Sequence, residues 1–385
     1  MSKRFPTTTN NRAGHYSKQA SDYFAFIPTP LPPSPQIHFD KELLSLLTKA
    51  DRALGRLDGA SSILPHPDLF VAMYVRQEAV YSSQIEGTQS TLEDVLEFEA
   101  GASSSDTPKD VGEVVNYVKA MNYGLSRLKE LPLSLRLIKE IHKILMHQTR
   151  GGHKEPGEFR RSQNWIGPAG CTLTNATFVP PPLPEMKEAL HNLEKFWHDS
   201  HTLPDLIHCG ISHVQFETIH PFLDGNGRIG RLLITFLLCE RNILSQPLLY
   251  LSHFFKLHRE DYYQNLMKVR RDGDWEGWLK FFLQGVYEVS EEATLTARAI
   301  LDLQENHRRI IRAEISGATN GMVLLDFLFR NPIITIKMAA EHLGCAYVTA
   351  STLIEHFVRL GFLKELTGTK RNRKFRYEPY LELFQ

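Results

Sequence analysis

Twelve consecutive residues, His220-Pro221-Phe222-Leu223-Asp224-Gly225-Asn226-Gly227-Arg228-Ile229-Gly230-Arg231, gather the groups needed to handle a polyphosphate. Gly225 and Gly227 flank Asn226, so the backbone can take positive φ and turn its N–H groups into one concavity. Immediately after, Ile229, Leu232, Leu233, Phe236 and Leu237 recur at helical spacing, which predicts a helix over about 227–241. The free N–H groups and positive dipole end of that helix face the same concavity, making an anion site most natural for phosphate. Arg228 and Arg231 lie three apart, share a helix face by spacing, and suit a polyphosphate. Asp224 supplies one hard oxygen, enough for Mg²⁺ that completes its shell with phosphate and water. Mn²⁺ suits the same donor. His220, at the end of the preceding helical stretch, is the candidate general base. A Gly-x-Gly turn, a helix-end histidine or an arginine pair alone is commonplace. Their concentration in one loop is what points to chemistry.

A second segment, Tyr81-Ser82-Ser83-Gln84-Ile85-Glu86-Gly87, puts Ser82 and Glu86 on one helix face, with Gly87 where a helix would stop. By itself this reads as a routine helix end. Tyr262 and Tyr263 read equally as a buried tyrosine pair. His208 and His213 are five apart, face differently, and read as core or surface histidines rather than metal ligands. Near the C-terminus Lys364, Lys370, Arg371, Arg373, Lys374 and Arg376 form a basic cluster. It suits either a phosphate backbone or a solvated hairpin in a domain used for protein contacts or dimerisation.

The loop matches every fixed position of H-P-F-x-D-G-N-G-R-x-x-R and thereby resembles the Fic family. Pro156-Gly157-Glu158-Phe159-Arg160 is similar to the family's G-E-F-R segment, and 176–182 to the flap that docks the target chain. The region before 115 resembles the helical extension that accompanies many Fic domains. The resemblance implies a protein adenylyltransferase that moves AMP from ATP to a Ser, Thr or Tyr hydroxyl, with itself among the targets, and releases diphosphate. It implies His220 as base and Asp224 as holder of Mg²⁺. It gives Gly225, Asn226 and Gly227 the α- and β-phosphates, Arg228 and Arg231 the β- and γ-phosphates, and Tyr263 the adenine. Residues 82–87 match the family's inhibitory motif [S/T]-x-x-x-E-[G/N]. That match implies Glu86 pairing with Arg231 to exclude a productive γ-phosphate. Three alternatives stay open: a DNA-binding regulator (through 346–376) with the nucleotide site as sensor, phosphate or phosphocholine transfer, and removal of AMP supported by Glu86.

The elements that must position these residues read as mainly α. Helical patterns run from 40 to 98, 111–128, 134–147, 185–198, 205–219, 227–241, 262–267 and 275–296. Residues 151–184 break the pattern as a long Gly- and Pro-rich loop that carries a β-hairpin flap, with a short β-like piece at 172–179. Residues 1–20 are polar and read as poorly ordered or extended, and Pro28 to Pro35 as a stiff strap on the domain. Phe222 reads as the packing anchor of the loop. The expected division is an N-terminal helical extension (1–110), a catalytic core (111–295), a linker helix (296–316) and a winged helix-turn-helix (317–385). The last rests on helices around Met322, Ala339 and Leu353, with Gly344 at a turn, Thr349 as a cap, and a hairpin around Gly368.

Composition bounds the rest. The 385 residues carry 44 Lys+Arg and 44 Asp+Glu, so net charge favours neither nucleic acid nor membrane. Cys171, Cys209, Cys239 and Cys345 are dispersed, which argues against a disulfide framework and for a reducing compartment. No segment is apolar enough to span a membrane, and 1–17 lack a signal-peptide core. A cytoplasmic protein is the expectation.

Overall fold

The computed structural model describes residues 11–62, 67–101, 108–149, 151–152, 154–199, 203–315, 318–367 and 373–384. The loop expected at 101–108 and the helix end at Gly317 fall almost wholly outside these. So do Gly368, Thr369, Lys370 and Arg371 of the expected C-terminal turn.

The chain starts with a hairpin, β1 (Gly14–Lys18) antiparallel to β2 (Phe24–Pro28), with Tyr16 opposite Phe26. Of the two readings of this segment, poorly ordered or extended, residues 14–18 take the extended one. Ala25 and Phe26 are fully buried, and an apolar face is what a short hairpin needs to persist. The proline strap that follows is held from both sides. Arg12 donates to the Pro35 and Gln36 carbonyls, and Gln215 donates to Thr29 O.

Helices α1 (Lys41–Ser62), α2 (Pro67–Ile85) and α3 (Leu92–Glu99) form the N-terminal extension, and Thr91 and Asp94 close a capping box on α3. Then come α4 (Val111–Arg127) and α5 (Leu135–Leu145), the latter capped by Ser134. In the loop between α5 and α6 (Leu183–Trp197) the expected hairpin is reduced to one isolated bridge, Ile166 with Phe178. Prolines at 180, 181 and 182 cannot donate to a ladder, so no strand extends there. Instead Phe26 N–H donates to Val179 O and ties this segment to β2.

The centre of the molecule is α7 (Asp205–Ile219) against α8 (Asn226–Glu240). Residues 206–219 of α7 are all buried, so this helix is surrounded rather than amphipathic. Helix α9 (Ser252–Leu257) packs on α2, and α10 (Arg259–Asp272) packs on the helix that follows it and bonds to His213 and Thr218 of α7. The sequence reading missed α9 and the first turn of α10. One helix, α11 (Trp275–Glu314), then runs 40 residues without interruption, so the division expected at 295/296 falls inside it. It packs along α1, and Trp278 Nε1 donates to Gly210 O of α7.

The C-terminal unit comprises α12 (Ala318–Arg330), β3 (Ile333–Thr335), α13 (Ile336–Leu343), α14 (Tyr347–Arg359), β4 (Leu363–Glu365) and β5 (Lys374–Tyr377). The strands make an antiparallel sheet in the order β3-β5-β4. Gly344 ends α13 in the left-handed region, φ +61°. Thr349 is not the cap of α14; the cap is Ala346, without a side-chain bond, and the capping threonine is Thr335 on α13. A last turn, α15 (Glu378–Leu381), leads Phe384 back to α2. There its carbonyl accepts from Gln77, and its ring meets Tyr74 edge-on at 5.9 Å. Among the described residues no helix is long and apolar enough to cross a membrane, and the four cysteines are unpaired.

Candidate active site

The loop between α7 and α8 is built by backbone geometry first. His220 ends α7 in a left-handed conformation, φ +48°, and Gly225 precedes α8 at φ +76°. A left-handed non-glycine residue is uncommon and needs support from its surroundings. That support is the buried Arg160, whose Nε donates to His220 O at 3.1 Å and whose NH2 donates to Pro181 O. Asn164 adds bonds to His220 O and Phe222 O. Phe222 is fully buried and stacks on His142 at 3.7 Å. His142 Nδ1 accepts from Gly157 N–H, so its Nε2–H donates to Asp224 O at 3.0 Å.

The Asn226 side chain is buried, with Oδ1 accepting from Phe222 N–H and Nδ2 donating to Phe222 O, both at 2.8 Å. It is a staple across the loop, and only its backbone N–H faces the nest. The first intrahelical donor of α8 is Ile229, to Gly225 O, so the N–H groups of Asn226, Gly227 and Arg228 precede the helical ladder.

A carboxylate stands beside Gly227. Glu86, just past the end of α2, lies so close over Gly227 that a β-carbon there would overlap its Oε1. The same oxygen accepts from Arg231 NH2 at 2.7 Å. Arg231 also donates through Nε to Ser82 Oγ at 2.8 Å and through NH2 to Ser82 O at 2.9 Å. Burial alone would weaken the hold of Arg231 on its proton, but Glu86 together with Tyr262 and Tyr263 outweighs it and keeps the guanidinium firmly charged. Arg228 turns elsewhere: NH1 lies 3.2 Å from Glu113 on α4, and NH2 3.8 Å from Asp224 Oδ1. The two arginines therefore diverge, each engaged by a carboxylate of the N-terminal helices. A cleft of about 500 Å³ lies between α5 and residues 156–158.

His220 is 19% exposed in its side chain, and its Nδ1 lies 4.0 Å from Glu217 Oε2. Burial first, and the charge of Arg270 second, lower its pKa to about 4, so the imidazole is neutral and basic near pH 7. Glu217 is itself buried, and burial raises it to about 7 against the pull of Arg231. Arg270 of α10 stacks over Phe178 at 4.0 Å and donates to Thr218. Sequence reasoning missed Glu217, Arg270 and Glu113. The only available signal was a charged residue inside a long apolar run, at Glu217.

Asp224 is about one-third exposed. Burial opposes its ionisation, but Lys154, Arg228 and the Gly225 N–H outweigh this and hold it below the usual carboxylate range. Among the described residues no group of three His, Cys, Asp or Glu could hold a metal by itself. A single carboxylate suits a hard ion shared with phosphate and water. Room exists because residue 151 is glycine, where a β-carbon would stand 2.5 Å from Asp224 Oδ2. These residues fit Mg²⁺.

Tyr263 sits 39% exposed with Arg259 over its ring, whereas Tyr262 is buried and bonded to His213. His208 and His213 are buried core groups, bonded to Phe196 O and Gly230 O.

The chain matches the Fic/DOC family N-terminal model over residues 44–126 and the Fic/DOC family model over 132–238, which contains the whole loop. These two matches identify residues 44–126 and 132–238 as Fic/DOC family sequence. Its curated relatives include protein adenylyltransferase Fic of Drosophila virilis, 28% identical over 288 residues, covering 72% of this chain and 53% of that protein. The Drosophila erecta protein of that name is 27% identical over 214 residues, covering 53% and 39%. The chain thus spans about half the length of these relatives or less. Among solved structures, a Fic family protein from Desulfovibrio desulfuricans superposes with TM-score 0.58 at 19% identity, covering 89% of this chain and 97% of that one. A Fic domain containing signaling protein from Bacteroides thetaiotaomicron gives 0.50 at 20%, covering 67% and 95%. These share the mainly α Fic fold.

Proposed function

We propose that this Fic protein transfers AMP from ATP to a Ser, Thr or Tyr hydroxyl of a protein, and that Glu86 restrains the reaction. The observation that carries this reading is a neutral His220 at the start of the α7–α8 loop, with the Glu86 carboxylate against Gly227 and bonded to Arg231 of α8. A site already shaped around one anion, beside a base, is a site for phosphate chemistry. In the reaction His220 takes the hydroxyl proton as that oxygen bonds to the α-phosphorus. The bond from α-phosphorus to the bridging oxygen breaks, and diphosphate leaves. Gly225, Asn226 and Gly227 contribute backbone N–H groups to the α- and β-phosphates, and Arg228 and Arg231 hold the outer phosphates once Glu86 withdraws. Asp224 would hold Mg²⁺, which neutralises phosphate charge when bound. The segment 176–182, buried from 178 to 181 and exposed at Thr177, lies beside His220 and is the place for an extended target chain, and Tyr263 at the rim is the contact for adenine.

The DNA-binding alternative is weakened by the ion pairs of the basic cluster. Lys364 pairs with Glu378, Arg373 with Glu365, Lys374 with Glu97 and Arg376 with Glu93. A cytoplasmic setting fits the unpaired cysteines.

The test is intact mass after incubation with ATP and Mg²⁺, for wild type, Glu86→Gly, and Glu86→Gly with His220→Ala. One added AMP is expected in the single variant and none in the double. A gain of phosphate alone, or an equal AMP gain in the double variant, overturns the reading.

A further inference from the structure

The reading of Asp224 as a metal ligand leaves one neighbour unexplained. Lys154 Nζ lies 3.0 Å from Asp224 Oδ2, where a metal ion would approach. The other oxygen, Oδ1, already accepts from Gly225 N–H at 2.7 Å and has Arg228 NH2 at 3.8 Å. Both carboxylate oxygens therefore face a protein cation. The ammonium is delivered by a short turn. Lys154 N–H donates to Gly151 O at 2.9 Å, and Gly151 itself packs against Asp224 Oδ2. The turn thus brings a space-leaving glycine and a cation to the same oxygen.

A divalent ion and this ammonium cannot share Oδ2 without strong repulsion. Lys154 is 41% exposed on a flexible four-carbon stem, so it can leave. The anion nearest to receive it is a polyphosphate seated on the α8 nest, which begins one residue after Gly225.

Resting on the proposed reading of Asp224, we infer that Lys154 is a phosphate-binding residue that exchanges partners. Without nucleotide its ammonium neutralises Asp224 and disfavours binding of a bare metal ion. With a metal–nucleotide complex it releases Asp224 to the metal and bonds to a phosphate oxygen. Metal and nucleotide binding are thereby coupled.

The experiment uses the full chain carrying Glu86→Gly, with Mn²⁺ as probe. Free Mn²⁺ is read by electron paramagnetic resonance, alone and with ATP, and bound ATP by equilibrium dialysis. Lys154→Met should bind Mn²⁺ alone at least about fivefold more tightly, because a cation within 4 Å of the ion is gone. It should bind ATP in the presence of Mn²⁺ at least about fivefold more weakly. Lys154→Arg, which keeps the charge, should bind Mn²⁺ as the parent does. Unchanged Mn²⁺ affinity in Lys154→Met, unchanged ATP affinity, or an Arg variant that behaves like Met each overturns the inference. Asp224→Asn separates the two readings. If it retains the parent's Mn²⁺ binding with ATP, Asp224 is not the metal ligand and the underlying reading fails instead.

Discussion

At the residue scale the loop divides labour between side chains that hold it and side chains left to react. Arg160, Asn164, Phe222 and Asn226 direct their polar atoms or rings inward and fix the path of the backbone. His220 is left with a depressed pKa and a place at the lip. That depression has a kinetic consequence. In the Glu86→Gly background the rate of AMP incorporation should stay flat between pH 8 and about 6, because the base is unprotonated throughout. It should fall only as pH approaches the value of about 4 to which burial and Arg270 lower His220. A rate profile with its midpoint near the ordinary histidine value of about 6.5 would contradict this.

At the element scale the decisive relation is α2 against α8. Ser82 is fully buried and offers both its hydroxyl and its carbonyl to Arg231, while Glu86 offers a carboxylate from the next turn. One turn earlier on α2, Glu78 is also buried and bonded to Tyr117 of α4 and to Ser252 of α9. The inhibitory segment is thus anchored by Glu78 and latched by Ser82 and Glu86. Ser82→Ala leaves Arg231 Nε buried without an acceptor, which should cost about 1–3 kcal/mol. The expected result is a lower unfolding midpoint with AMP incorporation raised less than by Glu86→Gly, since the Glu86 carboxylate remains. Calorimetry and intact mass check the two halves. An unfolding midpoint equal to that of wild type would remove Ser82 from the latch.

At the scale of the whole molecule the C-terminal unit closes onto the N-terminal helices. Arg376 and Lys374 reach Glu93 and Glu97 on α3, and the Phe384 ring lies against Tyr74 of α2. Charge burial throughout the core also sets how stability responds to pH. His142, His208, His220 and His307 are lowered to about 4 and His213 to about 3, each chiefly by burial. Between pH 6.5 and 4 the unfolded chain binds more protons at these sites, so their contribution is present above 6.5 and is lost as pH falls. Glu78 and Glu217, raised to about 7 by burial, act in the opposite sense over pH 7 to 4.5. Five histidines outweigh two carboxyls, and the unfolding midpoint should drop by roughly 5 °C or more from pH 7 to pH 5. A midpoint that rises over that range would show that the carboxyls dominate.

Much of this protein is legible without coordinates. Helices α4 to α8 and α12 to α14 follow from apolar spacing, because each has a face or a whole surface to bury. The loop from His220 to Arg231 and the segment from Ser82 to Glu86 are local patterns, and local residue order carries them. What the sequence left open depends on residues distant in the chain. Asn226 could be read as a phosphate ligand because its partner, the Phe222 backbone, is chosen only when the loop closes. Arg228 and Arg231 could be read as one clamp because spacing gives a shared face but not the carboxylates, Glu113 and Glu86, that draw them apart. The flap could be read as a hairpin until β2 supplied its partner from 150 residues away. The pairing of Lys374 and Arg376 with Glu97 and Glu93 of α3 likewise lies beyond what local order shows. Spacing along the chain determines which groups a helix or loop presents; packing decides which of them find a partner, since ion pairs and buried hydrogen bonds form wherever tertiary contact brings opposite groups within reach.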